Sequence, residues 1–133
     1  MNWTQDPPKY GDMIRIKVSF YHHYGIFVDE NTVIQFGLPD NSGTPADEIC
    51  VMTTDIATFA NGQFVETAKL DRQEKKKARA PKETVALALS RLGERGYNIL
   101  NNNCEHFATD CVFGERSSFL DDVRSKIRKQ LNI

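Results

Sequence analysis

Cysteine is scarce in this sequence: three residues, at positions 50, 104 and 111, with no CxxC pair among them. An odd, scattered set, with neither a basic n-region nor an apolar h-region in "MNWTQDPPKYGD", argues against a secreted disulfide framework. There is no HxxxH either, so no zinc site or other metal is expected, and no cofactor-binding motif is evident. Net charge is nearly absent, 17 basic against 18 acidic side chains, which gives no whole-chain case for nucleic-acid binding. Long apolar runs are missing too, and no window approaches a membrane span. A reduced, cytoplasmic, single-domain protein is the expectation from these absences.

What is present reads as strands followed by helices. "MIRIKV" (13–18) alternates Ile14, Ile16 and Val18 with Arg15 and Lys17, the pattern of a half-buried strand. "YHHYGIFVDENTVIQFG" (21–37) is two β-rich runs around Asp29, Glu30 and Asn31, a hairpin signature. "LPDNSGTPADE" (38–48) is turn-rich. "ICVMTT" and "GQFVETAKL" are further strands, with "ANG" between Phe59 and Gln63 as punctuation. "APKETVALALSRLGERG" carries Pro81 for the first helical position, Glu83 for the first turn and Gly93 for C′. Its body is apolar on most sides, which predicts a buried helix. The fold class is therefore α+β with an antiparallel sheet packed on helices.

Two basic segments stand out. Residues 72–83 hold six basic and two acidic side chains, Lys75, Lys76 and Lys77 among them, and read as a solvated face or an anionic-surface contact. In 116–133, Phe119, Leu120, Val123, Ile127 and Leu131 recur at helical spacing. Arg124, Lys126, Arg128 and Lys129 occupy the other face, and five basic against two acidic residues leave a charge of +3. Such a helix suits an anionic membrane surface, or packs its stripe on the domain or a partner.

"ILNNNCEHFATDC" (99–111) places Cys104 where a polar loop turns into a helix. A sulfur there meets free backbone donors and the positive end of the helix dipole, both favouring thiolate. Cys111 shares the inward stripe with Phe107 and reads as core, as does Cys50 in its apolar strand. Position alone leaves a structural role open for Cys104 as well. His106 lies about 200° around the helix from Cys104, so a structural or surface role suits it. His22 and His23 are adjacent on a strand and face opposite ways. A three-residue loop at 29–31 would pair Gly25 with Gln35 and make His23 a diagonal neighbour of Gln35. A ring to deprotonate a thiol and an amide oxygen to hold that ring are the parts of a Cys–His–polar triad.

Taken together, "GDMIRI", "YHHYGIFVDENTVIQF" and "YNILNNNCEHFATDCVFGE" resemble the lecithin:retinol acyltransferase family, including its phospholipase A/acyltransferase branch. The resemblance runs from about Gly11 to Glu115, so that 1–115 would be the catalytic domain and 116–133 an appended or integral helix. It implies a circularly permuted papain-like (NlpC-type) fold with the nucleophile at a helix N-terminus. By position it implies Cys104 as nucleophile and His23, not His22, as general base. The Cys104 backbone N–H would be an oxyanion donor. The implied reaction takes an acyl chain from a glycerophospholipid through a thioester to water, an amine or an alcohol. Gln35 stands where many members carry a second histidine; its carbonyl still accepts from His23 and fixes the tautomer, without titrating. No hydrophobic tail of the kind many members use as an anchor is seen. Peripheral membrane contact would then fall to Lys75, Lys76, Lys77, Arg124, Arg128 and Lys129. Two other readings stay open: a cysteine amidase or isopeptidase, and a non-catalytic interaction domain.

Overall fold

The computed structural model describes residues 1–40, 43–98 and 102–114. Six strands form one sheet: β1 (Asn2–Thr4), β2 (Met13–Val18), β3 (Tyr21–Asp29), β4 (Thr32–Phe36), β5 (Val51–Thr54) and β6 (Glu66–Lys69). Their spatial order is β1-β6-β2-β3-β4-β5, and every neighbouring pair is antiparallel. Four helices accompany them: α1 (Ile56–Ala60), α2 (Arg72–Lys77), α3 (Pro81–Ser90) and α4 (Cys104–Phe113). This is the expected α+β class with an antiparallel sheet packed on helices.

Strand alternation separates two apolar layers. Ile14, Ile16, Phe27 and Val33 project to one face, where Phe59 of α1 covers them. Met13, Ile26, Ile34 and Phe36 project to the other and pack on Val85 and Ala88 of α3 and on Phe107, Ala108 and Cys111 of α4. Phe36, Phe59 and Phe107 are fully buried, and each such burial contributes about 1.5–3 kcal/mol. The β3–β4 hairpin pairs Gly25 with Gln35, the predicted register. Its loop is Glu30–Asn31, and a bulge between Phe27 and Asp29 supplies the extra residue.

Several expectations need correction. Helix α1 is absent from the sequence reading, although Asp55 caps it by accepting from the Thr58 N–H at 2.7 Å. Asn61, at φ 50°, ends it. Strand β1 was likewise not foreseen, and β6 keeps only four residues of "GQFVETAKL". Helix α3 is not buried all round: Thr84, Val85 and Ala88 face inward, while Leu89 is 42% exposed. Val85 and Ala88 pack against α4, while of the longer apolar side chains Leu87 is half-buried and Leu89 faces outward. Gly93 is not C′, since Arg91 is the C-cap; Gly93 turns the chain at φ +84° and donates its N–H to Val51 O. Cys50 is half-buried ahead of β5, not core.

Candidate active site

Helix α4 starts where it does because Asn103 caps it. The Asn103 carboxamide oxygen accepts from the N–H groups of Glu105 and His106, both at 3.0 Å. His106 completes a reciprocal box, its Nδ1 accepting from the Asn103 N–H at 3.1 Å. The ring is 1% exposed, so His106 is structural and not a surface group. Its role is to fix the first turn of the helix that carries Cys104.

That first turn meets an open edge of the sheet. Residues Tyr21–Tyr24 of β3 pair with β2, but pairing with β4 begins only at Gly25. Into this gap comes the Cys104 sulfur, 4.0 Å from the His22 carbonyl oxygen, while the Tyr24 peptide N–H donates to it. The thiol thus rests against the peptide groups on both sides of His23. Cys111 lies one layer deeper on α4, with no surface exposure, as core.

His23 points to the α1 face, 2% exposed, with its ring 5.4 Å from that of Phe59. A polar chain holds it there. His23 Nε2 and Gln35 Oε1 are 2.7 Å apart, and the Gln35 amide donates to Thr54 Oγ1 at 2.6 Å. The Thr54 hydroxyl in turn donates to the Asp55 carbonyl at 3.0 Å. Because the amide N–H2 is spent on Thr54, the oxygen faces the ring, His23 is the Nε2–H tautomer, and Nδ1 keeps its lone pair. Gln35 is fully buried, and burial of so polar a group is tolerated because both ends are paired.

Electrostatics at the thiol run opposite to the sequence expectation. Burial pushes the Cys104 thiol up to about 11, outweighing the donors of Tyr24, Glu105 and Cys104 itself, with the Glu105 carboxylate adding to the rise. Burial also lowers His23 to about 4, opposed by its bond to Gln35. The helix start supplies the predicted stabilisation of thiolate, but removing water from the sulfur costs more. The resting pair is therefore neutral thiol and neutral imidazole.

Beside the predicted site residues, the structure adds Thr54, which fixes the Gln35 amide, and Phe59, whose ring lies 5.4 Å from that of His23. Tyr21 and Tyr97 also lie close enough for a Cys104 thiolate to raise their phenols, after burial, the larger cause. Lys75, Lys76 and Lys77 end α2, which leaves β6 beside the start of β2, whereas Cys104 abuts the opposite end. The following Arg79 donates to the Asp110 and Cys111 carbonyls near the far end of α4. These three lysines are thus not brought to the thiol. Arg124, Arg128 and Lys129, with the predicted helix 116–133, lie outside the described residues. Among the described residues no three metal-ligating side chains gather, and no helix is long and apolar enough to cross a membrane.

Fold and site together define an α+β domain whose cysteine, at a helix start, sits against a histidine-bearing strand. The chain belongs to the lecithin retinol acyltransferase family, whose model matches residues 6–117. It is 31% identical to mouse lecithin retinol acyltransferase over 90% of this chain and 63% of that protein. With bovine lecithin retinol acyltransferase it shares 28% identity over 92% of this chain and 64% of the relative. The chain therefore spans less than two thirds of the length of these two relatives. Mouse phospholipase A and acyltransferase 3 is 28% identical over 91% of this chain and 79% of its own length.

Proposed function

We propose that this chain is a thiol-dependent acyltransferase or phospholipase A that takes an acyl chain from a glycerophospholipid. What supports the reading is that the Cys104 sulfur lies against the peptides on either side of His23, whose ring Nε2 is bonded to Gln35. Membership of a family whose named relatives are acyltransferases and a phospholipase A supports the choice of acyl ester.

In the proposed cycle His23 Nδ1 takes the Cys104 proton as sulfur attacks the ester carbonyl. Gln35 accepts the Nε2–H throughout, steadying the imidazolium that forms. The peptide N–H of Cys104 is the proposed donor to the carbonyl oxygen as it becomes an oxyanion. Collapse breaks the ester C–O bond, and the alcohol leaves with the proton held by His23. Water, an amine or an alcohol then attacks the thioester, giving up a proton to His23, and the thiol is restored. Since both groups rest neutral, proton transfer accompanies attack and no ion pair waits beforehand.

One observation favours a non-catalytic reading: Cys104 is only 6% exposed and its thiol is pushed up to about 11. Alkylation by a small electrophile would be slow on either reading, so the acyl adduct discriminates. Incubation with phosphatidylcholine followed by intact mass analysis should show one acyl group on Cys104, labile to hydroxylamine and missing in Cys104→Ala. His23→Ala should form it far more slowly. Neither adduct nor fatty acid release across several lipids would overturn the proposal. Release from amide probes alone would move the chain to the amidase class.

A further inference from the structure

A cleft of about 350 Å³ opens on the face of the sheet that carries α4, lined by Arg15, Lys17, His22, Gln63, Phe64 and Glu66, together with Gln5. Its position follows from strand alternation. Arg15 and Lys17 share the parity of Met13, and His22 that of Tyr24, so all three project beside α4 where its first turn begins. Lys17 and His22 are directly cross-strand.

The charges in the cleft are unevenly committed. Arg15 Nε is bound to Glu66 Oε1 at 2.9 Å, and its guanidinium lies 4.1 Å from the Trp3 ring centre. Arg15 also bonds the Tyr24 hydroxyl, which reaches Glu105 in the first turn of α4. Burial, then the Arg15 charge, lowers His22, with Glu66 opposing, so the ring is neutral at physiological pH. Lys17 is exposed and forms no ion pair among the described residues. Arg15 and Glu66 cancel, and one positive charge is left over. That matches the single negative charge of a phosphodiester; the Glu66 carboxylate would repel the second charge of a free phosphate.

The cleft and the nucleophile share a residue. The His22 ring lines the cleft while its carbonyl lies 4.0 Å from the Cys104 sulfur. In a glycerophospholipid about five bonds separate phosphorus from the nearer ester carbonyl carbon, roughly 7.5 Å along the chain at about 1.5 Å per bond. Cross-strand neighbours such as Lys17 and His22 stand about 5 Å apart, so both ends of that span can be met at once. Phe64, 80% exposed in the cleft wall, offers apolar surface there, and Phe20, 93% exposed, lies at the turn that joins the strands of Lys17 and His22. A lipid would cover that surface, and a water-soluble phosphate would not.

We propose that this cleft receives the phosphodiester of the lipid acyl donor, with Lys17 as its main cationic contact and Arg15 and His22 lending hydrogen bonds. Lys17 thereby becomes a specificity residue that presents the adjacent ester to Cys104. The assignment rests on the acyl-transfer reading above, and its test is kept separate from that chemistry by measuring binding to the Cys104→Ala protein.

The probe is dihexanoyl phosphatidylcholine below its micelle concentration, followed through backbone amide shifts at Lys17 and His22. Inorganic phosphate and a neutral short-chain triacylglycerol serve as comparison arms. Expected is saturable binding that weakens at least tenfold with Lys17→Glu and survives Lys17→Arg, with inorganic phosphate at least tenfold weaker. Binding of the neutral ester should be indifferent to Lys17. The proposal is overturned by lipid binding that ignores Lys17, by equal losses for lipid and neutral ester, or by inorganic phosphate binding as tightly as the lipid. Lys17-dependent binding with no acyl adduct on the unmodified protein would uphold the cleft and sink the chemistry. An adduct with no Lys17-dependent binding would do the reverse.

Discussion

His23 and Gln35 meet through a 2.7 Å contact between Nε2 and Oε1, made possible because Thr54 takes the other end of the Gln35 amide at 2.6 Å. A non-titrating partner thus accepts from the ring nitrogen, with its own orientation fixed by Thr54. Gln35→Leu should strand the His23 N–H in a buried site and cost about 1–3 kcal/mol in urea unfolding. It should also slow acyl-adduct formation by about 100-fold or more, since the ring loses its tautomer preference. Gln35→Glu keeps the acceptor and should recover part of the rate, with the acid limb of its pH profile moved up by the added charge. Equal rates for the two variants would show that Gln35 serves packing alone.

A neutral resting pair has a signature in pH. His23 becomes protonated only near pH 4 and Cys104 loses its proton only near pH 11. The rate of adduct formation should therefore climb through a limb near pH 4 and stay level across neutrality to about pH 9. A rising limb between pH 6.5 and 8 would mean that the ring titrates near its ordinary value, and the buried-pair account would fail.

The same depressed value bears on stability. Unfolded, His23 takes up a proton near 6.5, but folded it resists until about 4. Between these limits the unfolded chain binds more protons, so stability is complete above pH 6.5 and declines as the medium is acidified toward 4. For His23 the loss amounts to about 3 kcal/mol across that window. Urea unfolding at pH 7.5, 5.5 and 4.5 would measure it, and His23→Gln, which does not titrate, should flatten the slope by a comparable amount. An unchanged slope would place the acid sensitivity elsewhere.

Legibility in the sequence followed the range of the interactions involved. The His23–Gln35 relation could be read because hairpin register is local: the bulge near Val28 and the short loop count as one insertion, which kept Gly25 opposite Gln35. The start of α4 could be read because Asn103 lies next to Cys104. Thr54 was within reach by the same logic, as β5 pairs Met52 with Gln35 and Val33 with Thr54, which makes Thr54 a diagonal neighbour of Gln35. That step needs the β4–β5 register, which no short turn dictates. Phe59 could not be placed because a five-residue helix gives too little periodicity. The thiol's charge state was misjudged for a different reason. Capping donors are visible in sequence, whereas burial depends on β4 parting from β3 at Gly25 and leaving a gap that the sulfur fills.

Gly25 ties these elements together. A Cβ added there would lie 2.8 Å from Phe59 Cε1, closer than real contacts come, and a tight 3.0 Å from Val33 Cγ1 and 3.1 Å from the Ile34 oxygen. Gly25→Ala should cost about 1–3 kcal/mol, and the freest atom to yield is on the Phe59 ring, which stands 5.4 Å from His23. Acyl-adduct formation should consequently fall by more than the lost folded fraction explains. Phe59→Leu removes the obstructing ring edge, so the double variant should be more stable than the sum of its parts by about 0.5–3 kcal/mol. Strict additivity in that cycle, or a Gly25→Ala protein with full stability and rate, would refute the role given to the glycine.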